Sequence, residues 1–348
     1  MSTARTGRLC RGLSWIAAAC VAFAGCAPAG GRANTPKEGL AVIVDPPARA
    51  GAPTIFIAMP SSPNFLDARK SLVSEVRKTF DVSTFVVTPG TTPDELGAAI
   101  QRAKPTCLVL MNNASMTLLS KFELAHPAAS FPPTVLLMAS LIEEVQATLE
   151  RATGIAYEVP GVTAFVNLRT VIRAPVNRVG VIYRPSLGKF VERQRGPAAA
   201  EHIEIVPVPV PSDVTADGLR EALDTLIKER GVDAVWILND NALVRDAQFR
   251  DEAWRPELSE AKLPVIVGVA NLVNPDSPLG TLAVVPDHEA MGLQAANLIF
   301  ELADDGWRVE AHPVELPLSV KTVVDVKMVR ANFGLRQDAL KHIDRALE

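Results

Sequence analysis

The chain has 348 residues, of which 48% are hydrophobic and 21% are charged, and its formal net charge is −4 at pH 7. A mildly acidic chain lacks the basic surface that binds a nucleic-acid backbone, so the composition argues against nucleic acid as a partner. The five histidines and four cysteines are scattered, and they form no spacing typical of a metal site.

The first 25 residues predict a cleaved export signal rather than a part of the fold. Arg5, Arg8 and Arg11 precede an apolar stretch, Gly12–Gly25, that is too short to span a bilayer comfortably. The stretch ends at Phe23-Ala24-Gly25-Cys26, which resembles the lipobox of bacterial lipoproteins, although Phe23 stands where Leu or Val is usual. The resemblance implies that Cys26 is acylated; the alternative is ordinary secretion with a cysteine at this place by coincidence.

Acylation of Cys26 would hold the mature chain on a membrane of the cell envelope, because more than one acyl chain gives stable anchoring. Ala27 and Ala29 follow without an adjacent aspartate, a pattern that directs some Gram-negative lipoproteins to the outer membrane. Residues 26–52 are rich in Ala, Gly and Pro and predict a disordered tether, in which Val42–Val44 could add an edge strand. Loss of residues 1–25 makes the formal net charge −7, because it removes three arginines and no acidic residue.

From residue 54 onward, short runs of Val, Ile and Leu alternate with longer amphipathic stretches. Most of the runs are continuous, which is typical of strands that are buried on both faces of a parallel sheet. The predicted strands are Thr54–Met59, Ser83–Thr88, Cys107–Met111, Thr134–Ala139, Arg178–Tyr183, His202–Val206, Asp233–Leu238, Pro264–Val269 and Thr281–Val285.

Helices are predicted between these strands. Thr92-Pro93-Asp94-Glu95 is a capping box with proline at the first helical position. Leu219–Ile227 forms an apolar face that ends near Gly231, and Asp287 can cap a helix that ends near Gly306. Strands and helices that alternate over this length predict doubly wound α/β units.

The predicted units fall into two sets, as expected for about 300 folded residues. Gly161–Val166 predicts a first crossing strand, a further crossing is expected at Pro313–Ser319, and the charged segment Arg245–Leu263 predicts a surface insertion. These features assign residues 53–163 plus 284–312 to a first lobe and residues 164–283 plus 313–348 to a second.

The sequence carries no motif that predicts catalysis or a cofactor. It has no glycine-rich dinucleotide or phosphate loop, no G-x-S-x-G nucleophile turn and no H-E-x-x-H pair. Cys107 lies alone in an apolar run and predicts a buried, inert thiol. We therefore expect a binding protein rather than an enzyme, with no cofactor and no metal.

The second half of the chain carries ordered segments that resemble one family. They are Gly161-Val162-Thr163, Asn177–Ser186 with the form R-V-G-V-x-Y-x-P-S, Gly231–Trp236 with the turn Asn239-Asp240-Asn241, Leu263–Ile266, Gly292–Ala296, Val323–Val326 and Arg330–Leu335. In this order and spacing they resemble the ABC-transporter substrate-binding family whose members bind tryptophan and other small solutes. The resemblance is clear over residues 160–348 and only topological over residues 54–159.

The resemblance implies an α/β, two-lobed, periplasmic-binding-protein-like fold of type I, in which each lobe is a doubly wound, mostly parallel sheet. It also implies a small-molecule ligand that is bound by closure between the lobes, and an ABC permease as partner in the cell envelope. We expect a monomer. The mature chain has two tyrosines, Tyr157 and Tyr183, and Val285–His288 lacks the family's aromatic pair. An aromatic cage for an amino acid is therefore not expected, and a bulkier or more apolar ligand is.

Ligands of such folds bind outside the carboxyl ends of parallel strands, so polar residues that follow the strands are candidates for the site. In the first lobe they are Ser61, Ser62, Asn64, Asn112, Asn113, Ser115 and Ser140. In the second lobe they are Tyr183, Arg184, Ser186, Asn239, Asp240, Asn241 and Asn271. The serines, asparagines and Asp240 have an alternative interpretation as helix caps or turn formers. Arg184 is either a surface arginine or a fork for a carboxylate or phosphate.

Two other functions remain open from the sequence. An envelope lipoprotein with the same fold could regulate a cell-wall enzyme, which Ala27 and the charged segment Arg245–Leu263 favour. The second of these functions is that of a carrier for an apolar, lipid-like ligand. The weakly polar turns Met59–Ser62 and Met138–Leu141 favour it.

Overall fold

Two sheets, each covered by helices, form the computed structural model, which describes residues 42–45 and 51–348 except 245 and 275–278. The described residues belong to one compact unit. The predicted signal peptide, the predicted lipidation site Cys26 and most of the predicted tether lie outside the described residues. The predicted fold class is confirmed, since both sheets are mostly parallel and helices alternate with their strands.

The first sheet has six strands among the described residues, in the order β1-β3-β2-β4-β5-β6. The strands are β1 Val42–Val44, β2 Thr54–Met59, β3 Asp81–Val86, β4 Cys107–Met111, β5 Thr134–Leu137 and β6 Ala152–Gly154. Among the described strands β1 pairs antiparallel with β3 and the other pairs are parallel. β1 lies at the end of the strand order, so the predicted edge strand is confirmed. All five residues of β4 are buried, which explains why its sequence is a continuous apolar run.

The second sheet has seven strands in the described part of the chain, in the order β13-β12-β11-β10-β9-β7-β8. The strands are β7 Arg178–Tyr183, β8 Glu204–Pro209, β9 Ala234–Ile237, β10 Val265–Val267, β11 Leu282–Pro286, β12 Val320–Asp325 and β13 Arg345–Leu347. The single antiparallel pair joins β11 to β12.

The helices run between the strands and cover both faces of each sheet. They are α1 Pro63–Val76, α2 Pro93–Ala103, α3 Asn113–Ala125, α4 Ile142–Gln146, α5 Gly161–Val171, α6 Gly188–Ala200, α7 Ala216–Asp224, α8 Asn241–Val244, α9 Ala247–Phe249, α10 Arg255–Ala261, α11 His288–Asp304 and α12 Val326–Asn332. The predicted capping box of α2 is confirmed: the Glu95 N–H donates to Thr92 Oγ1 at 3.3 Å, and the Thr92 N–H donates to Glu95 Oε2 at 2.8 Å. Asp287 caps α11 by accepting from the Glu289 and Ala290 N–H groups.

α11 returns from the second sheet to pack on α1 of the first, and a glycine makes this contact close. A Cβ atom at Gly292 would lie 2.1 Å from the Ala68 carbonyl oxygen and 3.0 Å from the Leu72 nitrogen. Hydrogen at this position therefore lets two helix backbones touch. We refer below to the first sheet with α1–α4 and α11 as the first lobe, and to the second sheet with its helices as the second lobe.

Two of the segments that connect the lobes run side by side. Ile155, after β6, forms a parallel bridge with Glu315, which lies between α11 and β12. The Ala156 N–H donates to the Glu315 carbonyl at 2.8 Å, and the Glu315 N–H donates to the Gly154 carbonyl at 2.9 Å. The third connection between the lobes follows β11. This strand contains residues 283 and 284, between which the lobe boundary was predicted.

The predicted crossing strand at Gly161–Val166 is wrong, because these residues begin α5. The buried residues of this helix are Gly161, Ala164, Phe165, Leu168 and Val171. Their spacing of three and four residues is the period of a helix, and it continues beyond the six residues from which the strand was predicted.

The prediction of a surface insertion at Arg245–Leu263 is also wrong for the residues that the structure describes. Residues 246–261 form α9, a π turn at Arg250–Trp254 and α10. Trp254 is 1% exposed and its indole N–H donates to the Leu243 carbonyl at 2.9 Å, while Ala253 and Leu258 are buried beside it. An apolar face hidden among charged residues thus packs into the core of the second lobe.

Candidate functional site

A cavity of about 120 Å³ lies between the lobes, where the carboxyl ends of strands from both sheets meet. The first lobe contributes the turn after β5, at Ser140 and Leu141, and the segment Tyr157–Val159 that follows β6. The second lobe contributes the turns after β7, β9 and β10 and the end of β11. In an open α/β sheet this edge is where ligands bind, because the loops there carry free polar groups.

Aromatic side chains form the floor of the cavity on the second-lobe side. Trp236 of β9 is 5% exposed and packs edge-to-face on Phe165 of α5, with ring centroids 5.3 Å apart. Phe190 of α6 lies 5.9 Å from the same indole. Gly161 makes room for the indole, because a Cβ atom there would approach it to 3.0 Å. The floor therefore offers a rigid apolar surface to a bound molecule.

Arg184 and Asp240 form a two-bond ion pair at the wall of the cavity. Arg184 Nε and Nη2 donate to the two carboxylate oxygens of Asp240, both at 2.6 Å, and the Ala242 N–H donates to Asp240 Oδ1 at 3.0 Å. The Asp240 side chain is 4% exposed, and its hydrogen bond raises the pKa of Arg184. The pair joins the turns after β7 and β9, and it occupies the Nε–Nη2 edge of the guanidinium, which leaves the Nη1 side of Arg184 without a hydrogen bond in the described residues.

Tyr157 and His288 stack on each other across two elements of the first lobe. Their rings lie 5.9 Å apart at 4° to each other, and the Tyr157 hydroxyl is 3.1 Å from His288 Nε2. Burial lowers the pKa of His288, so its imidazole is neutral at pH 7. Burial, together with the charge of Glu158, raises the pKa of Tyr157, so the hydroxyl keeps its proton. This contact fixes Tyr157 at the edge of the cavity.

Glu158 holds the turn that closes the first-lobe side. Its Oε1 accepts from the Leu141 N–H at 2.8 Å, and Leu141 has the left-handed backbone conformation with φ of 53°. Burial raises the pKa of Glu158, and the hydrogen bond from Leu141 opposes this effect. The carboxylate lines the cavity and forms no ion pair with any residue that the structure describes.

The structure brings five of the candidate residues together at the cavity. They are Ser140, Arg184, Ser186, Asn239 and Asp240. Asn239 is fixed by a hydrogen bond from its Nδ2 to the Gly268 carbonyl at 3.3 Å. Ser186 is exposed at the mouth of the cavity.

The other first-lobe candidates lie away from the cavity. Ser61, Ser62 and Asn64 are exposed at the start of α1. Asn112 caps α3, as its alternative interpretation predicts, and Asn113 exchanges two hydrogen bonds with the backbone of Ser140. Ser115 is fully buried and donates to the Met111 carbonyl. Of these side chains, that of Asn113 holds the turn at Ser140, which lines the cavity.

Three second-lobe candidates also lie away from the cavity lining. Tyr183 is half-buried against the second-lobe core. Asn241 and Asn271 are exposed, the first at the start of α8 and the second in the short turn Ala270–Leu272.

Several residues of the cavity were not candidates from the sequence. Trp236 and Phe190 lie in an apolar strand and an apolar helix face, where they are indistinguishable from core residues. Tyr157 and Glu158 lie in the connection between the lobes. A polar pair just before the first predicted crossing is a signal that could have identified them.

The two lobes, the paired connections and the cavity at the strand ends define the two-lobed fold of solute-binding proteins. Solved structures of this fold are similar to the chain. A ligand-free, open substrate-binding protein with adhesive properties from Clostridium difficile has a TM-score of 0.62 at 16% identity, over 85% of this chain and 99% of that one. A conserved domain protein from Vibrio cholerae has a TM-score of 0.54 at 16% identity, over 85% and 100% of the two chains.

A further similar structure is the ABC domain from Streptococcus pneumonia in complex with L-Trp, with a TM-score of 0.53 at 14% identity, over 84% of this chain and 100% of that one. No family model and no curated protein sequence matches the chain. In the described part of the chain, no helix has the length and apolar character needed to cross a membrane.

Proposed function

We propose that the chain is a solute-binding protein that holds a small molecule in the cavity between its lobes and closes around it. The observation that carries the proposal is the cavity itself, which turns from the carboxyl ends of both sheets line. A molecule that contacts both lobes favours the closed arrangement by as much as its contacts differ between the open and closed states. The paired connections at Ile155 and Glu315 support a hinge between the lobes.

The volume of the cavity in this arrangement of the lobes indicates the size of the group that it can enclose. An apolar cavity of about 150 Å³ is large enough to accept benzene. The cavity of about 120 Å³ therefore suits a molecule, or an enclosed part of one, with about the bulk of a single ring.

We also propose that an ABC permease receives the solute, and that acylated Cys26 keeps the protein at a membrane of the cell envelope. The lipobox-like Phe23–Cys26 segment supports the anchor. We expect Cys26→Ser to abolish acylation of the chain, because the substitution removes the thiol that would receive the acyl chains. Growth of cells that express each form with a labelled fatty acid measures this, and a variant that is still labelled would contradict the proposed anchor.

Thermal-shift screening of the purified full-length protein against small solutes tests the binding function. A ligand at about 100 times its Kd is expected to add about 2.7 kcal/mol to the free energy of unfolding. Asn239→Ala is expected to weaken binding several-fold, because it removes a polar group from the cavity. Asn271→Ala is the matched control: this asparagine is exposed and outside the cavity, so affinity should not change. If no solute shifts the melting temperature, the proposed function fails.

A further inference from the structure

The charge of the ligand follows from the charged groups around the cavity, and this inference rests on the proposed function. Three cationic side chains lie in or beside the cavity, and each already forms an ion pair with a carboxylate. The pairs are Arg184 with Asp240 at 2.6 Å, Arg193 with Glu143 at 2.8 Å and Lys321 with Asp287 at 2.9 Å. An anionic ligand would therefore meet cations whose charge is already balanced by a carboxylate.

Glu158 is the charged group of the lining that keeps no cationic partner within the described residues. One carboxylate oxygen accepts from the Leu141 N–H. Burial raises the pKa of this half-buried carboxylate, whereas the backbone N–H groups of Leu141 and Glu158 and the charge of Arg193 lower it. Arg193 pairs with Glu143, however, and Glu158 keeps no direct ionic partner among the described residues. The lining, with Arg184, Asp240 and Glu158, therefore carries one net negative charge when all three groups are ionised.

The hydrogen-bonding groups of the lining also favour a ligand that carries hydrogen-bond donors. Two nitrogens of Arg184 donate to Asp240, and the amide nitrogen of Asn239 donates to Gly268. These three nitrogens donate within the protein. The amide oxygen of Asn239 and the carboxylate of Glu158 can still accept, while the hydroxyls of Ser140 and Ser186 can either donate or accept. A lining rich in free acceptors suits a ligand that is rich in donors.

Apolar groups cover most of the remaining wall. Trp236, Phe190 and Val284 present buried hydrophobic surface beside these acceptors. Such a wall favours a compact apolar body, and the face of an indole also attracts a nearby cation.

We propose that the cavity selects a small organic cation, an apolar body of about one ring that carries a protonated amine, and that the ammonium group binds at Glu158. The ammonium supplies the positive charge that this carboxylate lacks, and its three N–H donors meet the free acceptors of the lining.

The test compares amine, alcohol and carboxylate forms of three small skeletons by calorimetric titration of the full-length protein. The probes are benzylamine, benzyl alcohol and benzoate; cyclohexylamine, cyclohexanol and cyclohexanecarboxylate; and butylamine, butanol and butyrate. We expect at least one amine to bind at least tenfold more tightly than the alcohol and the carboxylate of the same skeleton.

Glu158→Gln isolates the role of the carboxylate. The variant keeps the shape and the oxygen that accepts from Leu141, but it removes the charge. We expect affinity for the best amine to fall about tenfold to a hundredfold, the usual range for one charge-assisted hydrogen bond, while affinity for the alcohol stays unchanged. Glu192→Gln is the matched control, since Glu192 is exposed, pairs with Arg195 and lies outside this cavity.

Acidification supplies a second readout. Glu143, Arg193 and Tyr157 face Glu158, and burial raises the pKa of Glu158. As the pH falls from 7, Glu158 therefore begins to bind a proton at a higher pH than an ordinary glutamic acid does. In the parent protein we expect the affinity for the amine to fall as Glu158 becomes protonated. In Glu158→Gln the affinity should stay nearly constant over the same pH range.

The outcomes separate this inference from the proposed function. If carboxylates bind as tightly as the amines, or if Glu158→Gln leaves amine affinity unchanged, the cavity is a solute site but the cation proposal is wrong. If none of the nine probes binds, the cation proposal is wrong, whereas the proposed solute site is contradicted only if the thermal-shift screen also finds no ligand.

Discussion

Arg184→Met is expected to lower the free energy of unfolding by about 3 kcal/mol, because it leaves the carboxylate of Asp240 buried without its counter-charge. Asp240 is 4% exposed and both of its oxygens accept from Arg184, so water cannot replace the lost bonds without opening the turns after β7 and β9. For about 300 folded residues the melting temperature should fall by about 5 °C. Denaturant titration and calorimetry measure the two quantities.

Two further variants define the cause of that loss. Arg184→Met with Asp240→Leu should recover most of the stability, because replacing both partners leaves no unpaired charge. Arg178→Met is the matched control: its partner Glu204 is 61% exposed, and an exposed pair contributes about 0–1 kcal/mol. If Arg184→Met is no more destabilising than Arg178→Met, the pair at the cavity wall does not hold the two turns together.

Gly292→Ala is expected to cost about 2 kcal/mol or more, even though alanine is the better helix former. The added methyl group would lie 2.1 Å from the Ala68 carbonyl oxygen, and a backbone atom cannot move aside as a side chain can. Relief requires α11 to move away from α1, which exposes buried apolar surface on both helices. The free energy of unfolding from denaturant titration reports this cost.

Gly196→Ala is the same substitution at another helix position, and we expect it to raise the free energy of unfolding instead of lowering it. Gly196 lies in α6, and no atom is within 4 Å of the position its Cβ would take. Alanine there should raise the free energy of unfolding by about 0.5–1 kcal/mol through helix propensity alone. If both glycine variants change stability in the same direction, close helix contact is not the reason for the glycine in α11.

The sequence predicted best those strands that are apolar throughout. Thr54–Met59, Cys107–Met111 and Arg178–Tyr183 are the same in the prediction and in the structure. Each lies in the interior of its sheet and has a parallel neighbour on both sides, so nearly every side chain is buried. A strand that is buried on both faces consists of an uninterrupted run of residues such as Val, Ile and Leu. Such a run can be recognised from the local sequence alone.

Three strands escaped prediction for identifiable reasons. β6 is three residues long and consists of Ala152, Thr153 and Gly154, which carry almost no hydrophobic signal. β12 carries Lys321 and Asp325 among its valines, so it lacks a continuous apolar run. β13 pairs only with β12 at the sheet edge, and two of its three residues are exposed.

The second-lobe half of the cavity was easier to predict than the first-lobe half. Arg184, Ser186, Asn239 and Asp240 follow two central strands, and the turn after each strand reaches the cavity. In the first lobe the same rule selected Asn112, whose oxygen instead accepts from two N–H groups of α3. A polar residue after a strand satisfies a helix end or a ligand equally well, and only the three-dimensional arrangement separates the two roles.

The position of Cys107 has a practical consequence. Its thiol lies fully buried in β4 at the centre of the first sheet, and burial raises its pKa to about 12. A chain that begins after Cys26 contains no other cysteine. Alkylating reagents can therefore reach sulfur only when the first sheet opens, so the native protein carries a built-in chemical reporter of that opening without any engineered label.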